Sequence, residues 1–307
     1  MGTVVTAPPA RLTNTEDDDM RDDTTLVLGV GAPRAGTTWL ATYLSRHPQF
    51  YMSPLKELHY FDARFLPETC AYFDHVYIHS LLTLGETIDN RDHIRMRVDM
   101  IEDPSLYLKY FERYTGDERC FGEFSPAYCL LESAMITRIT ALHPKVKFLF
   151  ILRNPLERFI SNAFYMLHSL DVDLHSPDQY VRTSLYSKHL RVRADYRRTI
   201  TNYDRAAPGQ VLYLFYERLF CDDTIRRVCE FCEIDFLPAR YGLRVNASKS
   251  PVAARLTDAT RGHIYHQLAD QYAFVRDYFA GDIPGNWLAD MARYPRHPSH
   301  RTSRIGA

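Results

Sequence analysis

A chain of 307 residues, 46% of them hydrophobic, carries enough apolar mass for a sizeable core and has room for one large or two small domains. Its formal net charge of −1, from 37 Lys and Arg against 38 Asp and Glu, leaves no global field aimed at nucleic acid or a membrane surface. No apolar stretch approaches the roughly 20 residues of a spanning helix, and the N-terminus lacks the apolar core of a signal peptide, so a cytoplasmic protein without an integral membrane segment is expected.

Residues 1–24 include Pro8-Pro9 and the acidic run Glu16-Asp17-Asp18-Asp19, show no periodicity, and are expected to be disordered. The apolar run Leu26-Val27-Leu28-Gly29-Val30 predicts a strand over 25–31, and a helix fits 37–46. A short strand near 50–52 follows. The stretch 61–104, rich in aromatics and histidine, reads as a lid or an insertion over the acceptor site, with Tyr72, Phe73 and Tyr77 as apolar walls. Further strands fit 146–152 and 211–216, and further helices 132–142, 155–168, 222–233 and 257–279. Near-continuous apolar strands are the mark of a parallel sheet buried on both faces, and their alternation with helices predicts an α/β fold of three layers around a central parallel sheet of about five strands. The domain is expected over 25–290, with a basic tail over 291–307.

Six cysteines in a chain of this length do not make a disulfide scaffold. The Cys229 and Cys232 pair has C-x-x-C spacing but lies in a predicted helix with no second pair to match, which favours small apolar core residues over a metal site. The cluster Lys188, Arg191, Arg193, Arg197 and Arg198 reads as the solvated face of a helix, with an acidic acceptor or lipid headgroup as the alternative.

The chemistry starts at Gly31-Ala32-Pro33-Arg34-Ala35-Gly36-Thr37-Thr38-Trp39-Leu40, between the first strand and the first helix. The two glycines have the spacing of a phosphate-binding loop, G-x-x-x-x-G-K-[ST], but Thr37 stands where the lysine that reaches the β- and γ-phosphates belongs. N–H groups of about 34–38 at a helix N-terminus still favour an anion, and Arg34 adds a permanent charge. A second element runs Phe148 to Ser161: a strand ending at Arg153, an N-cap at Asn154, Pro155 at the first helical position and Glu157 at capping-box spacing. Its helix presents Leu156, Phe159, Ile160, Ala163, Phe164 and Leu167 as one apolar stripe. Ser161 is predicted on another face, with Arg158 and Tyr165. Arg153 and Ser161 make a candidate second phosphate site at the carboxyl end of the sheet.

These two motifs together resemble the sulfotransferases that use 3′-phosphoadenosine 5′-phosphosulfate (PAPS). Three more segments are similar to that family: Lys56-Glu57-Leu58-His59-Tyr60-Phe61-Asp62, Gly122-Glu123-Phe124-Ser125-Pro126-Ala127-Tyr128 and Val211-Leu212-Tyr213-Leu214-Phe215-Tyr216-Glu217. The resemblance spans about residues 25–290, with the five segments in the family's order. It implies that the loop, Arg34-Ala35-Gly36-Thr37-Thr38-Trp39, takes the 5′-phosphosulfate, with Arg34 at the bridging oxygen. It also implies that Arg153 and Ser161 take the 3′-phosphate, that Tyr216 contacts the nucleotide, and that Lys249 or Arg255 supplies a further cation. Glu57 is the implied catalytic base and His59 the second candidate. Phe124 replaces the lysine common in the heparan-type branch, which argues against a highly anionic polysaccharide. The implied reaction is metal-free transfer of a sulfuryl group from PAPS to a hydroxyl or amine of a small-molecule, lipid or glycan acceptor, leaving adenosine 3′,5′-bisphosphate. The rival readings are a P-loop kinase and a non-catalytic nucleotide-binding protein on the same fold.

Overall fold

Each apolar run predicted as a strand is one in the computed structural model, which describes residues 23–83, 90–168, 176–242 and 256–295. They are β1 (Thr25–Gly31), β2 (Phe50–Met52), β4 (Val146–Leu152) and β5 (Val211–Phe215); the sequence reading missed β3 (Cys120–Phe124). The five form one parallel sheet in the order β2-β3-β1-β4-β5. β1 is therefore central, with all seven of its residues buried.

Gly122 interrupts the apolar run of β3, and the register explains its presence. It pairs with Val27 of β1, and a Cβ at Gly122 would lie 1.8 Å from the Val27 carbonyl oxygen. Here the two backbones approach too closely for any side chain.

The described residues form two units. The first holds the sheet and comprises the chain up to Leu152 together with Arg198–Ala247. Its helices are α1 (Thr37–Leu44), α2 (Tyr60–Phe65), α3 (Pro67–Cys70), α4 (Tyr72–Thr83), α5 (Arg91–Asp99), α6 (Leu106–Tyr114), α7 (Ser133–Thr140), most of α11 (Tyr196–Ala206) and α12 (Asp222–Cys232). The second unit comprises Arg153–Arg197 and the residues from Ser248 onward. It holds α8 (Pro155–His168), α9 (Pro177–Ser184), α10 (Lys188–Val192), the start of α11, α13 (Asp258–Tyr278) and α14 (Gly285–Arg293). Among the described residues no helix is long and apolar enough to cross a membrane. Cys229 and Cys232 are buried free thiols on α12.

In the second unit, α8 starts as its sequence predicts. The Asn154 side chain accepts from the Glu157 N–H at 3.1 Å. It also donates to Asp290 at 2.7 Å and accepts from the Tyr272 hydroxyl at 2.9 Å, while the Glu157 carboxylate pairs with Arg261. The predicted stripe is buried throughout, from Leu156 to Leu167. Of the residues predicted off that stripe, Arg158 is fully buried, with its guanidinium 6.0 Å from the Tyr196 ring centre, whereas Tyr165 is exposed. Asn154→Ala is expected to destabilise the protein by about 1–3 kcal/mol in urea unfolding, because it removes a helix cap and strands buried partners.

Candidate active site

The loop after β1 is shaped by two left-handed residues, Arg34 at φ 66° and Gly36 at φ 87°. Gly36 caps α1, and a Cβ there would meet the Tyr216 ring at 3.0 Å, so the position is closed to larger residues by both conformation and space. The Ala35 N–H is used within the turn, donating to the Ala32 carbonyl at 3.2 Å. That takes one of the predicted anion donors out of the set. The N–H groups of Gly36, Thr37 and Thr38 meet no acceptor among the described residues. Three open donors at the positive end of a helix, with a guanidinium in the same loop, suit a phosphate-class anion. Aromatic rings gather beside them. Trp39 lies edge-on to Phe220 at 4.9 Å and stacks on Tyr241 at 6.0 Å, and Tyr216 lies edge-on to Phe220 at 5.3 Å.

The segment after β2 carries a chain of three titratable groups. The Glu57 carboxylate lies 3.2 Å from Nε2 of His59, and Nδ1 of His59 lies 2.7 Å from the Asp62 carboxylate. Glu57 remains one-third exposed, whereas the His59 and Asp62 side chains are shielded. Burial works against charge on His59, but the two flanking carboxylates outweigh it and push its pKa up to about 9. At neutral pH His59 is an imidazolium that donates at both nitrogens. Burial also works against charge on Glu57, yet the His59 hydrogen bond and the charges of His59, Lys56 and Arg34 hold its carboxyl below the usual range. Arg34 and Glu57 thus lie within electrostatic reach of one another.

Glu57 and His59 both sit at positive φ, 61° and 50°. For non-glycine residues this conformation persists only when the surroundings over-determine it, and here three sets of contacts do so. Arg97 of α5, fully buried, donates to the carbonyls of Leu58 at 2.7 Å and His59 at 3.0 Å, and pairs with Asp74 of α4 at 2.6 Å. From α4, Phe73 stacks on the His59 ring at 3.3 Å, and the Tyr77 hydroxyl donates to the Glu57 carbonyl at 2.9 Å. Beneath, the buried Glu123 carboxylate accepts from the hydroxyls of Ser125, at 2.6 Å, and Tyr128. Those hydroxyls in turn accept the N–H groups of His59, at 3.0 Å, and of Tyr60 and Phe61. Burial pushes the Glu123 carboxyl up to about 7 in spite of these bonds.

The sequence reading named Arg34, Glu57 and His59, and the structure brings these together in the first unit. Phe73 and Tyr77, expected as pocket walls, hold the Glu57–His59 segment. Asp62, Asp74 and Arg97 were missed as site residues, Arg97 because its partners lie 38 and 39 residues away. Phe124 is buried in β3, its ring filling the space where a Cβ at Gly29 would stand.

Arg153 and Ser161 lie in the second unit. The Arg153 backbone is clasped by Tyr196, whose hydroxyl accepts from its N–H at 3.1 Å and donates to its carbonyl at 2.7 Å. Ser161 is buried on α8. Lys249 and Arg255 lie outside the described residues. The basic cluster does not form one solvated face: Arg193 is buried and donates to the His189 carbonyl, and Arg198 pairs with Glu132 and the Leu130 carbonyl. Exposed charge at helix spacing and charge folded back onto the backbone look alike in sequence.

A central parallel sheet with an open glycine loop at the end of β1 defines a P-loop-like α/β protein. The model of the sulfotransferase family matches residues 27–238, and the chain belongs to that family. Among solved structures, a sulfotransferase from Alicyclobacillus acidocaldarius shares the fold with a TM-score of 0.59 at 21% identity, over 85% of this chain and 98% of that one. A sulfotransferase domain from the curacin biosynthetic pathway matches at TM-score 0.47 and 15% identity, over 89% and 98% of the two chains. Mouse sulfotransferase SULT7A1, solved with PAP, matches at 0.40 and 14%, over 81% and 64%. No curated protein sequence matches the chain.

Proposed function

We propose that the protein transfers a sulfuryl group from PAPS to a hydroxyl or amine, with the 31–38 loop holding the donor's 5′ end and Glu57 as the base. The observation that carries this reading is the pairing, in one unit, of an open anion loop bearing Arg34 with an ionised, partly exposed Glu57 held by a protonated His59. PAPS supplies an activated sulfur with adenosine 3′,5′-bisphosphate as leaving group. As the acceptor oxygen or nitrogen bonds to sulfur, Glu57 takes the acceptor's proton. Arg34 and the open amides of Gly36, Thr37 and Thr38 stabilise the electron pair left on the phosphate oxygen when the sulfur–oxygen bond breaks. His59, already carrying a proton at neutral pH, serves as the partner that orients Glu57 rather than as the base.

Family resemblance assigns the 3′-phosphate to Arg153, Ser161 and Lys249, and nucleotide contact to Tyr216. The rings of Trp39, Phe220 and Tyr241 add an apolar surface beside the loop. The acceptor is a small molecule, lipid or glycan. Thermal-shift measurements with adenosine 3′,5′-bisphosphate and with ATP plus magnesium test the donor. The bisphosphate is expected to raise Tm and ATP with magnesium to leave it nearly unchanged; the reverse order would return the loop to a kinase.

A further inference from the structure

Three guanidiniums, those of Arg64 on α2, Arg97 on α5 and Arg138 on α7, line a cavity of about 370 Å³ in the first unit, and only one carboxylate, Asp74, lines it with them. Arg97 is committed to Asp74 and to the carbonyls of Leu58 and His59. Arg64 and Arg138 have no ion-pair partner among the described residues; Arg138 lies 4.8 Å over the Phe65 ring. Burial raises the pKa of the Tyr60 hydroxyl, another wall group, and all three guanidiniums pull against that rise while Asp103 adds to it. Like charges gathered around a cavity repel one another and are relieved by an anion. A guanidinium fork matches the oxygens of a carboxylate or phosphate. Tyr60 and Phe65 supply apolar wall, and the volume lies within the roughly 300–1,000 Å³ of small-molecule sites.

We propose that this cavity is a binding site for a small organic anion, a carboxylate or phosphomonoester with an apolar body, held by Arg64 and Arg138. Its floor reports to the candidate base. An anion in the cavity competes with Asp74 for Arg97, whose other hydrogen bonds fix the carbonyls of Leu58 and His59. Asp74 shares α4 with Phe73 and Tyr77, which hold the His59 ring and the Glu57 carbonyl. The anion comes either from a separate small molecule or from an acidic group on the acceptor itself; the effect on transfer rests on the sulfotransferase reading, and the binding does not.

Calorimetric titration of the full chain with phenyl phosphate and with benzoate, in saturating adenosine 3′,5′-bisphosphate, tests the site. The comparison is with the Arg64→Ala/Arg138→Ala double variant. Saturable binding is expected for the unaltered chain, weakened about tenfold or more in the double variant, since charge-assisted hydrogen bonds are lost. No saturable binding, or equal affinity in the two proteins, overturns the site. Should the double variant fold poorly by circular dichroism, Arg64→Ala alone and Arg138→Lys carry the same comparison. Turnover separates the two sources. A separate anion changes kcat in the unaltered chain and not in the double variant; an acceptor's acidic group instead gives a KM for acidic acceptors that rises in the double variant. Binding that moves neither constant overturns the coupling. Absence of any transfer by the unaltered chain, with binding intact, would count against the sulfotransferase reading and leave the site standing.

Discussion

Arg34→Ala is expected to lower kcat by about 10³-fold, measured as sulfated product at saturating donor and acceptor. The figure follows from what a fixed positive group contributes when it faces charge that develops only in the transition state. Arg34 is also a left-handed residue at φ 66°, a conformation that costs roughly 1–2 kcal/mol for any side chain with a Cβ, arginine and alanine alike. Arg34→Asn is the control for the backbone, because asparagine favours that conformation and lacks the charge. Both variants are expected to lose turnover alike. An asparagine variant with near-normal turnover would remove Arg34 from the reaction.

Glu57→Gln is expected to leave adenosine 3′,5′-bisphosphate binding intact while lowering kcat about 10²–10⁴-fold, the range for loss of a positioned general base. The pH profile is the sharper measurement. Glu57 acts as a base only when ionised, and its pKa is lowered, so the unaltered enzyme keeps its rate down to a pH below the usual carboxylate range. On the alkaline side His59 loses its proton near pH 9, and a neutral ring bonded to Asp62 turns a lone pair toward Glu57. The rate should fall there. The same proton links to stability with a definite sign. The folded pKa of His59 lies above its ordinary 6.5, so its contribution is whole below about pH 6.5 and is lost as pH rises through about 9. In Glu57→Gln both limbs should vanish from the residual rate; an unchanged profile would assign the base elsewhere.

Much of this architecture was readable from pattern. β1, β4 and β5 are unbroken apolar runs, and α8 carries a cap, a proline and a stripe that agree. β3 was hidden because its middle is Gly122-Glu123: a glycine demanded by backbone contact with Val27, followed by a buried acid that serves hydrogen bonding. The helices between Tyr60 and Tyr114 were hidden for a related reason. α4 has no fully buried residue, and α5 buries His93 and Arg97, so neither writes a plain apolar stripe. At the site, Arg34 stood out from the spacing of its loop, whereas Glu57 and His59 were named by family resemblance. Arg158 lies outside the apolar stripe in the sequence and is nonetheless buried beside an aromatic ring, a contact that helix periodicity does not write. Arg97 acts across the fold on backbone carbonyls, and Glu123 acts through the hydroxyls of Ser125 and Tyr128, neither of which leaves a mark in side-chain periodicity.

The Glu57–His59 segment ends its backbone hydrogen bonds on side chains borrowed from the turn after β3, from α4 and from α5. Such a segment is not a portable module. Grafting Lys56–Asp62 into another scaffold would carry the acid, the imidazole and Asp62, and would leave behind the scaffolding that keeps two non-glycine residues left-handed. The same dependence constrains drift among relatives. Arg97, Glu123 and Tyr128 are tied to the segment they hold, whereas Lys56, exposed at its edge, acts on it only through its charge beside the Glu57 carboxylate.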